Sequence, residues 1–139
     1  MTLHVELVVP DRQIWSGTAR MVVAKTLEGD IGILASHPPV LGILAAGSVV
    51  RVFDPDADAS EGAGSGAAGG EGGELTAAVS GGFFSVAGDR VSILCRAAEL
   101  GRDVDARAAR AELESASDAE EPAEAEYARA RLRAAGEQA

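Results

Sequence analysis

Few side chains in this 139-residue sequence could do chemistry, and the most unusual arrangement of them is EGDIGILASHPPV, residues 28–40. It sets Glu28, Gly29 and Asp30 in a turn, Gly32 in a short apolar strand, and His37 ahead of Pro38-Pro39. Glycine lets a neighbouring backbone approach closely, and a diproline stiffens the exit. From the residues alone the segment reads equally well as a glycine-punctuated turn with a solvent-facing histidine.

Other chemical signals are weaker. GSGAAG, residues 64–69, matches GxGxxG in letters. That fingerprint needs a strand before it and a helix after it, so that phosphate meets a helix N-terminus. Here an acidic run precedes it and more glycine follows. Asp54, Asp56 and Asp58 have the first spacings of a calcium loop, but Ala59 and Ser65 stand where that loop needs Gly and Glu. Lys25-Thr26 lacks the glycines of a phosphate loop. The one cysteine, Cys95, lies in an apolar run and reads as a buried, inert thiol. His4 falls in the first expected strand. There is no GxSxG elbow and no carboxylate pair that stands out, so neither an enzyme nor a resident cofactor or metal is expected.

The elements that hold these residues follow from composition and periodicity. Lys plus Arg is 12 against 22 for Asp plus Glu, a net charge of -10, which argues against nucleic acid and anionic lipid as partners. No signal peptide is expected. Residues 31–50 are uncharged, but the diproline would break a membrane-spanning helix, and buried strands joined by turns are expected there. Residues 3–9, 12–15, 19–26 and 48–53 are short runs rich in Val and Ile. Turns are expected at Pro10-Asp11, Ser16-Gly17, 28–30 and Ala46-Gly47. Residues 75–79, 83–87 and 90–95 continue the pattern around Gly81-Gly82 and Gly88-Asp89. Strands at this spacing form a sandwich or barrel.

Between them, residues 54–74 carry six acids, no bases and no branched apolar side chain. Such a segment cannot offset its ordering entropy, and a disordered insert is expected. The period changes after it. Residues 103–116 and 120–135 are rich in Ala, Arg and Glu and predict two helices. Ser117-Asp118 is the expected cap of the second, and Pro122 suits its first turn. The expected fold is an N-terminal antiparallel β-sandwich, residues 1–98 with the insert at 54–74, followed by an antiparallel two-helix hairpin, residues 99–139. The hairpin's stripes are mostly alanine, so weak packing is expected.

VELVVPDRQIWSG (5–17), EGDIGILASHPPV (28–40), LAAGSVVRV (44–52) and VSGGFFSVAGDRVSILCRAAE (79–99) together resemble the epsilon subunit of bacterial F-type ATP synthase, called delta in mitochondria. DVDARAARAELE (103–114) resembles the start of that family's first C-terminal helix. The resemblance spans nearly the whole chain apart from the insert. It implies a non-catalytic central-stalk (rotor) subunit on the cytoplasmic face of the bacterial membrane, peripheral and not inserted. The implied partners are the gamma subunit, the ring of c subunits, and the alpha and beta subunits of the catalytic head through the hairpin. Such a chain would help couple proton-driven rotation to ATP synthesis and restrain wasteful hydrolysis. The family's ring-facing role falls on Glu28, Gly29, Asp30 and His37. Some members bind ATP in the hairpin through I/L-D-x-x-R-A. Here Val104-Asp105 is followed by Arg107 and Ala108, one residue or about 100° out of register, so no ATP site is carried over. The competing reading is a free-standing β-sandwich ligand binder, which needs an aromatic-lined cleft from only five aromatic residues.

Overall fold

The computed structural model describes residues 2–57 and 73–137. Eleven strands come first: β1 (Leu3–Val9), β2 (Arg12–Ala19), β3 (Met21–Thr26), β4 (Gly29–Leu34), β5 (Val40–Leu44), β6 (Ser48–Phe53), β7 (Asp56–Ala57), β8 (Glu74–Val79), β9 (Gly82–Ala87), β10 (Arg90–Leu94) and β11 (Ala98–Leu100). A 3-10 turn, Gly101–Asp103, leads into α1 (Ala106–Asp118) and α2 (Pro122–Ala134). The strands form one hydrogen-bonded path, β11-β8-β6-β3-β5-β9-β10-β1-β2-β7, with β4 attached to β3. The path turns a corner where Thr26 meets Leu44. Its two halves close over one core.

Alternation builds that core. β1 buries Leu3, Val5, Leu7 and Val9 and turns His4, Glu6 and Val8 outward. The same period buries Phe84 and Val86 on β9, and Val91 and Ile93 on β10. Trp15, Val22, Ile33, Leu44, Val50, Val79 and Leu100 join the same cluster from the other strands. Two sequence expectations change here. Ser16-Gly17 is not a turn: the ladder to β1 runs through it, pairing Ser16 with Glu6 and Gly17 with Val5, so tertiary pairing overrides turn propensity. Residues 31–50 are strands joined by turns but are not buried throughout, because Leu34, Leu41 and Ile43 lie on faces that nothing in this chain covers.

The expected insert is structured at its ends. β7 pairs with β2, Arg20 Nε donates to Asp54 Oδ2 at 2.6 Å, and Asp54 N donates to Gly73 O at 2.9 Å. The open edge of β2 supplies backbone partners that the composition could not reveal. The expected disorder, the GSGAAG run and Asp58 fall on residues 58–72, outside the described residues.

The sheet continues through Leu100, which pairs with Ala77. Asp105 caps α1, its Oδ1 accepting from Ala108 N at 3.2 Å. Ser117 and Asp118 belong to the last turn of α1 and do not cap α2; Glu120, at φ 58°, reverses the chain, and Pro122 opens α2. α2 lies on β8 and β6. A small separate cluster of Ala78, Ala130 and Ala134, flanked by Val49 and Tyr127, forms the contact. Thr76 Oγ1 donates to Ala134 O at 2.5 Å.

Alanine against alanine leaves no space for a larger side chain at Ala78, which is fully buried. Ala78→Leu should lift α2 at a cost of about 1–3 kcal/mol while the sandwich stays closed. Helical circular dichroism would then melt ahead of Trp15 fluorescence. A single coincident transition at the wild-type midpoint would contradict this packing.

Candidate functional site

Three surface features stand apart from the core. The first is the acidic turn. Leu27 and Glu28 join β3 to β4, and Thr26 organises them: Glu28 N donates to Thr26 Oγ1 at 3.0 Å, and Thr26 Oγ1 donates to Gly29 O at 2.8 Å. Gly29 takes φ +120°, which L side chains rarely adopt. Asp30 faces Lys25 across the ladder. Glu28, Gly29 and Asp30 are all exposed.

His37 lies past the other end of β4. Its Nδ1–H donates to Pro38 O at 2.7 Å, and the turn is held by Ser36 N donating to Asp89 Oδ1 at 2.6 Å. The six residues of β4 separate its ends by roughly 17 Å. Thus Glu28, Gly29 and Asp30 form one group. His37 belongs to a second, against the β9–β10 turn.

The second feature was not legible in the sequence. Ile43 of β5, Phe83 of β9 and Leu94 of β10 lie directly opposite one another across three adjacent strands. Opposed side chains in such ladders sit about 5 Å apart, so the three make a continuous strip. Leu41 extends it along β5, and Leu27 joins it, since Leu27 N donates to Ile43 O at 3.2 Å. These five side chains are 45–76% exposed. A contiguous apolar surface of this kind marks a contact with another molecule. Sequence could say that 83–87 was a strand; it could not say which of Phe83 and Phe84 faced out. Between this strip and the acidic turn runs an open groove of about 470 Å³, with Val40 and Ile31 on its walls.

The third feature is the hold on the hairpin. Arg131 of α2 is largely buried; its Nε donates to Glu99 of β11 at 2.8 Å and its Nη1 to Glu112 of α1 at 2.5 Å. One guanidinium thus ties the sheet to both helices. Its carbon lies 5.8 Å from the centre of the Tyr127 ring. Burial first, and Glu99 and Glu112 with it, push the Tyr127 phenol up to about 12, against the opposing pull of Arg131. Burial also pushes the Cys95 thiol up to about 11. The thiol sits 3.9 Å from Val8 O, an environment that suppresses thiolate chemistry.

The five aromatics converge on no common cleft. Trp15 and Phe84 are in the core, Phe83 faces out, Phe53 lies under Arg51, and Tyr127 is beneath the hairpin. Among the described residues no three of His, Cys, Asp and Glu come together to hold a metal. No helix there is long and apolar enough to cross a membrane.

Comparison with known proteins adds independent information. The family described as ATP synthase, Delta/Epsilon chain, beta-sandwich domain matches residues 2–68. The chain is 51% identical over 139 residues to the ATP synthase epsilon chain of Thermobifida fusca, covering 96% of this chain and 91% of that one. It is 46% identical over 134 residues to the epsilon chain of Streptomyces avermitilis, covering 95% and 94%. Among solved structures, a chain of the Euglena gracilis mitochondrial ATP synthase, OSCP/F1/c-ring in rotational state 1, superposes with a TM-score of 0.62 at 20% identity, covering 94% of this chain and 75% of that chain. At that identity the likeness concerns the fold.

The state of Tyr127 gives a pH test of hairpin docking. An unfolded phenol ionises near pH 10, while the packed one holds its proton to about 12. Between those values the unfolded state binds fewer protons, so stability is fully present below pH 10 and falls as pH rises toward 12. Absorbance at 295 nm should show one late-titrating phenol, which Ala78→Leu should bring earlier by lifting α2; Arg131→Ala removes the charge that pulls the phenol down, so it should titrate no earlier, at a cost of about 2 kcal/mol in urea unfolding. A phenol titrating near 10 in the folded chain would contradict the packing.

Proposed function

The chain belongs to the ATP synthase epsilon chain family, and from that premise we propose that it is a non-catalytic subunit of the rotor stalk, seated between the gamma subunit and the ring of c subunits. The apolar strip of Leu41, Ile43, Phe83 and Leu94 is the observation that carries the reading. A rotating stalk needs a subunit held firmly on one side, and burying such a strip supplies most of that hold. Gamma is the partner assigned to this face. The polar loops of the c ring are assigned to Glu28, Gly29, Asp30 and His37, where exposed carboxylates, backbone and an imidazole offer polar contacts. In this arrangement the ring meets two separate groups of residues rather than one cluster.

The sandwich suits the transmission of torque. Its strands form one continuous hydrogen-bonded path packed on branched side chains, and interiors of that kind deform little. The hairpin is the element assigned to the alpha and beta subunits and to restraint of ATP hydrolysis. Its contact with the sandwich is built mostly of small side chains, which supports a movable role. The chain would sit peripherally on the cytoplasmic face of the membrane. No ATP site is proposed in the hairpin, since Ala108 stands where the family motif has arginine. The scattered aromatics lend no support to a free-standing ligand binder.

Two substitutions test the reading. Phe83→Asp with Ile43→Lys changes exposed residues and sets opposite charges across the ladder, so stability should move by less than about 1 kcal/mol while gamma binding is lost. Asp30→Arg or His37→Glu should leave gamma binding in place and lower ATP synthesis relative to proton flux in membrane vesicles. Unchanged gamma binding by the double variant would overturn the assignment of the strip, and unchanged coupling would overturn that of the ring contacts.

A further inference from the structure

Building on that reading, we infer that the free edge of β4 accepts an extended strand from the stalk partner, which extends the sheet across the interface. β4 pairs only with β3 among the described strands. The register fixes which of its backbone groups are free. Lys25 O accepts from Ala45 N at 2.8 Å, on the far side of β3 from β4. Lys25 and its opposite, Asp30, are therefore a non-hydrogen-bonded pair, and alternation makes Gly32 and Leu34 the same. Asp30, Gly32 and Leu34 turn their N–H groups away from β3. Leu34 O is taken by His37 N at 3.1 Å, but the outward groups of Asp30 and Gly32 form an open ladder.

Long open edges invite pairing, and proteins blunt them with short strands, lysine, proline or bulges. The strands that end the path are short: β11 has three residues and β7, which covers only Gly17 and Thr18 of β2, has two; the unpaired side of β5 borders the same groove as β4. β4 has six, GDIGIL, with neither lysine nor proline. Gly32 carries no internal requirement. A Cβ there would meet nothing within 4 Å, and its φ lies outside the left-handed region. A glycine in a strand interior weakens the strand's own pairing and leaves its edge less committed. The groove beside β4 is walled by Ile31, Val40, Leu41 and Ile43, with Glu28 and Asp30 on its rim. The occupant that fits is an extended segment with alternate apolar side chains. The groove is continuous with the strip assigned to gamma through Leu41 and Ile43, so gamma is the source to which the inference commits.

Site-resolved amide exchange on the full-length chain, alone and with purified gamma, tests this directly. Complex formation should slow exchange at Asp30, Gly32 and Leu34 by at least about tenfold, and change Ile31 and Ile33 much less, because those are already bonded to β3. Gly32→Pro removes an outward N–H and no internal bond; it should weaken gamma binding at least about tenfold, with Trp15 fluorescence reporting an intact sandwich. Gly32→Val keeps the edge and should bind as wild type. A complex in which the three amides exchange as in the free chain overturns the inference and leaves the proposed function standing. So does equal slowing along all of β4, or loss of binding in Gly32→Val as well, either of which would mean that the face is covered and the edge is not paired. Protection that appears in the chain alone and grows with its concentration assigns the edge to a second copy and overturns it too. Absence of any complex with wild-type chain overturns both readings.

Discussion

The packing of Phe84 into the space left by Gly42 sets everything on this surface. A Cβ on Gly42 would overlap the Phe84 ring, which is buried at the centre of the core. Gly42 and Phe84 are directly opposed on β5 and β9. Strand side chains alternate, so fixing Phe84 inward fixes Phe83 outward, and with it the neighbours Ile43 and Leu94. A slip of one residue would send Phe83 into the core and dissolve the strip. The register of one strand thus decides whether the molecule has a binding face.

The two parts of the chain are held by different physics. The sandwich buries large branched and aromatic side chains in one cluster. The hairpin meets the sheet mainly through alanines, with Val49, Tyr127 and the buried Leu132, the Thr76 hydroxyl, Arg133 on Gly47 O and the Arg131–Glu99 ion pair. Small side chains bury little area each, and ion pairs near the surface are worth little individually. The ledger favours a rigid body with a lightly held appendage. That is the arrangement a stalk subunit requires if one part transmits force and another changes position.

Much of this was legible in the residues. Val- and Ile-rich runs at short spacing located most strands, and the change of period after residue 103 located both helices. Element identity follows from local pattern, and local pattern is what a sequence displays. What it did not display depended on partners distant in the chain. β5 follows a diproline and reads as a uniform apolar run, so its outward face at Leu41 and Ile43 had no signature. Ser16-Gly17 looked like a turn because turn propensity is local and the ladder to β1 is not. Within the candidate site, the acidic turn was visible from its glycine and carboxylates. The division between it and His37 was not, because EGDIGILASHPPV gives no sign that β4 spans the gap as a straight strand.

The account stands or falls on what covers Phe83. A photo-crosslinking amino acid at position 83 of the full-length chain, activated in native membranes, would report its neighbour by mass spectrometry. The prediction is a single dominant adduct with the gamma subunit, lost when Ile43 and Leu94 are made charged. Adducts with none of the ATP synthase subunits, from a chain that remains folded, would contradict the assignment of this face to the rotor stalk.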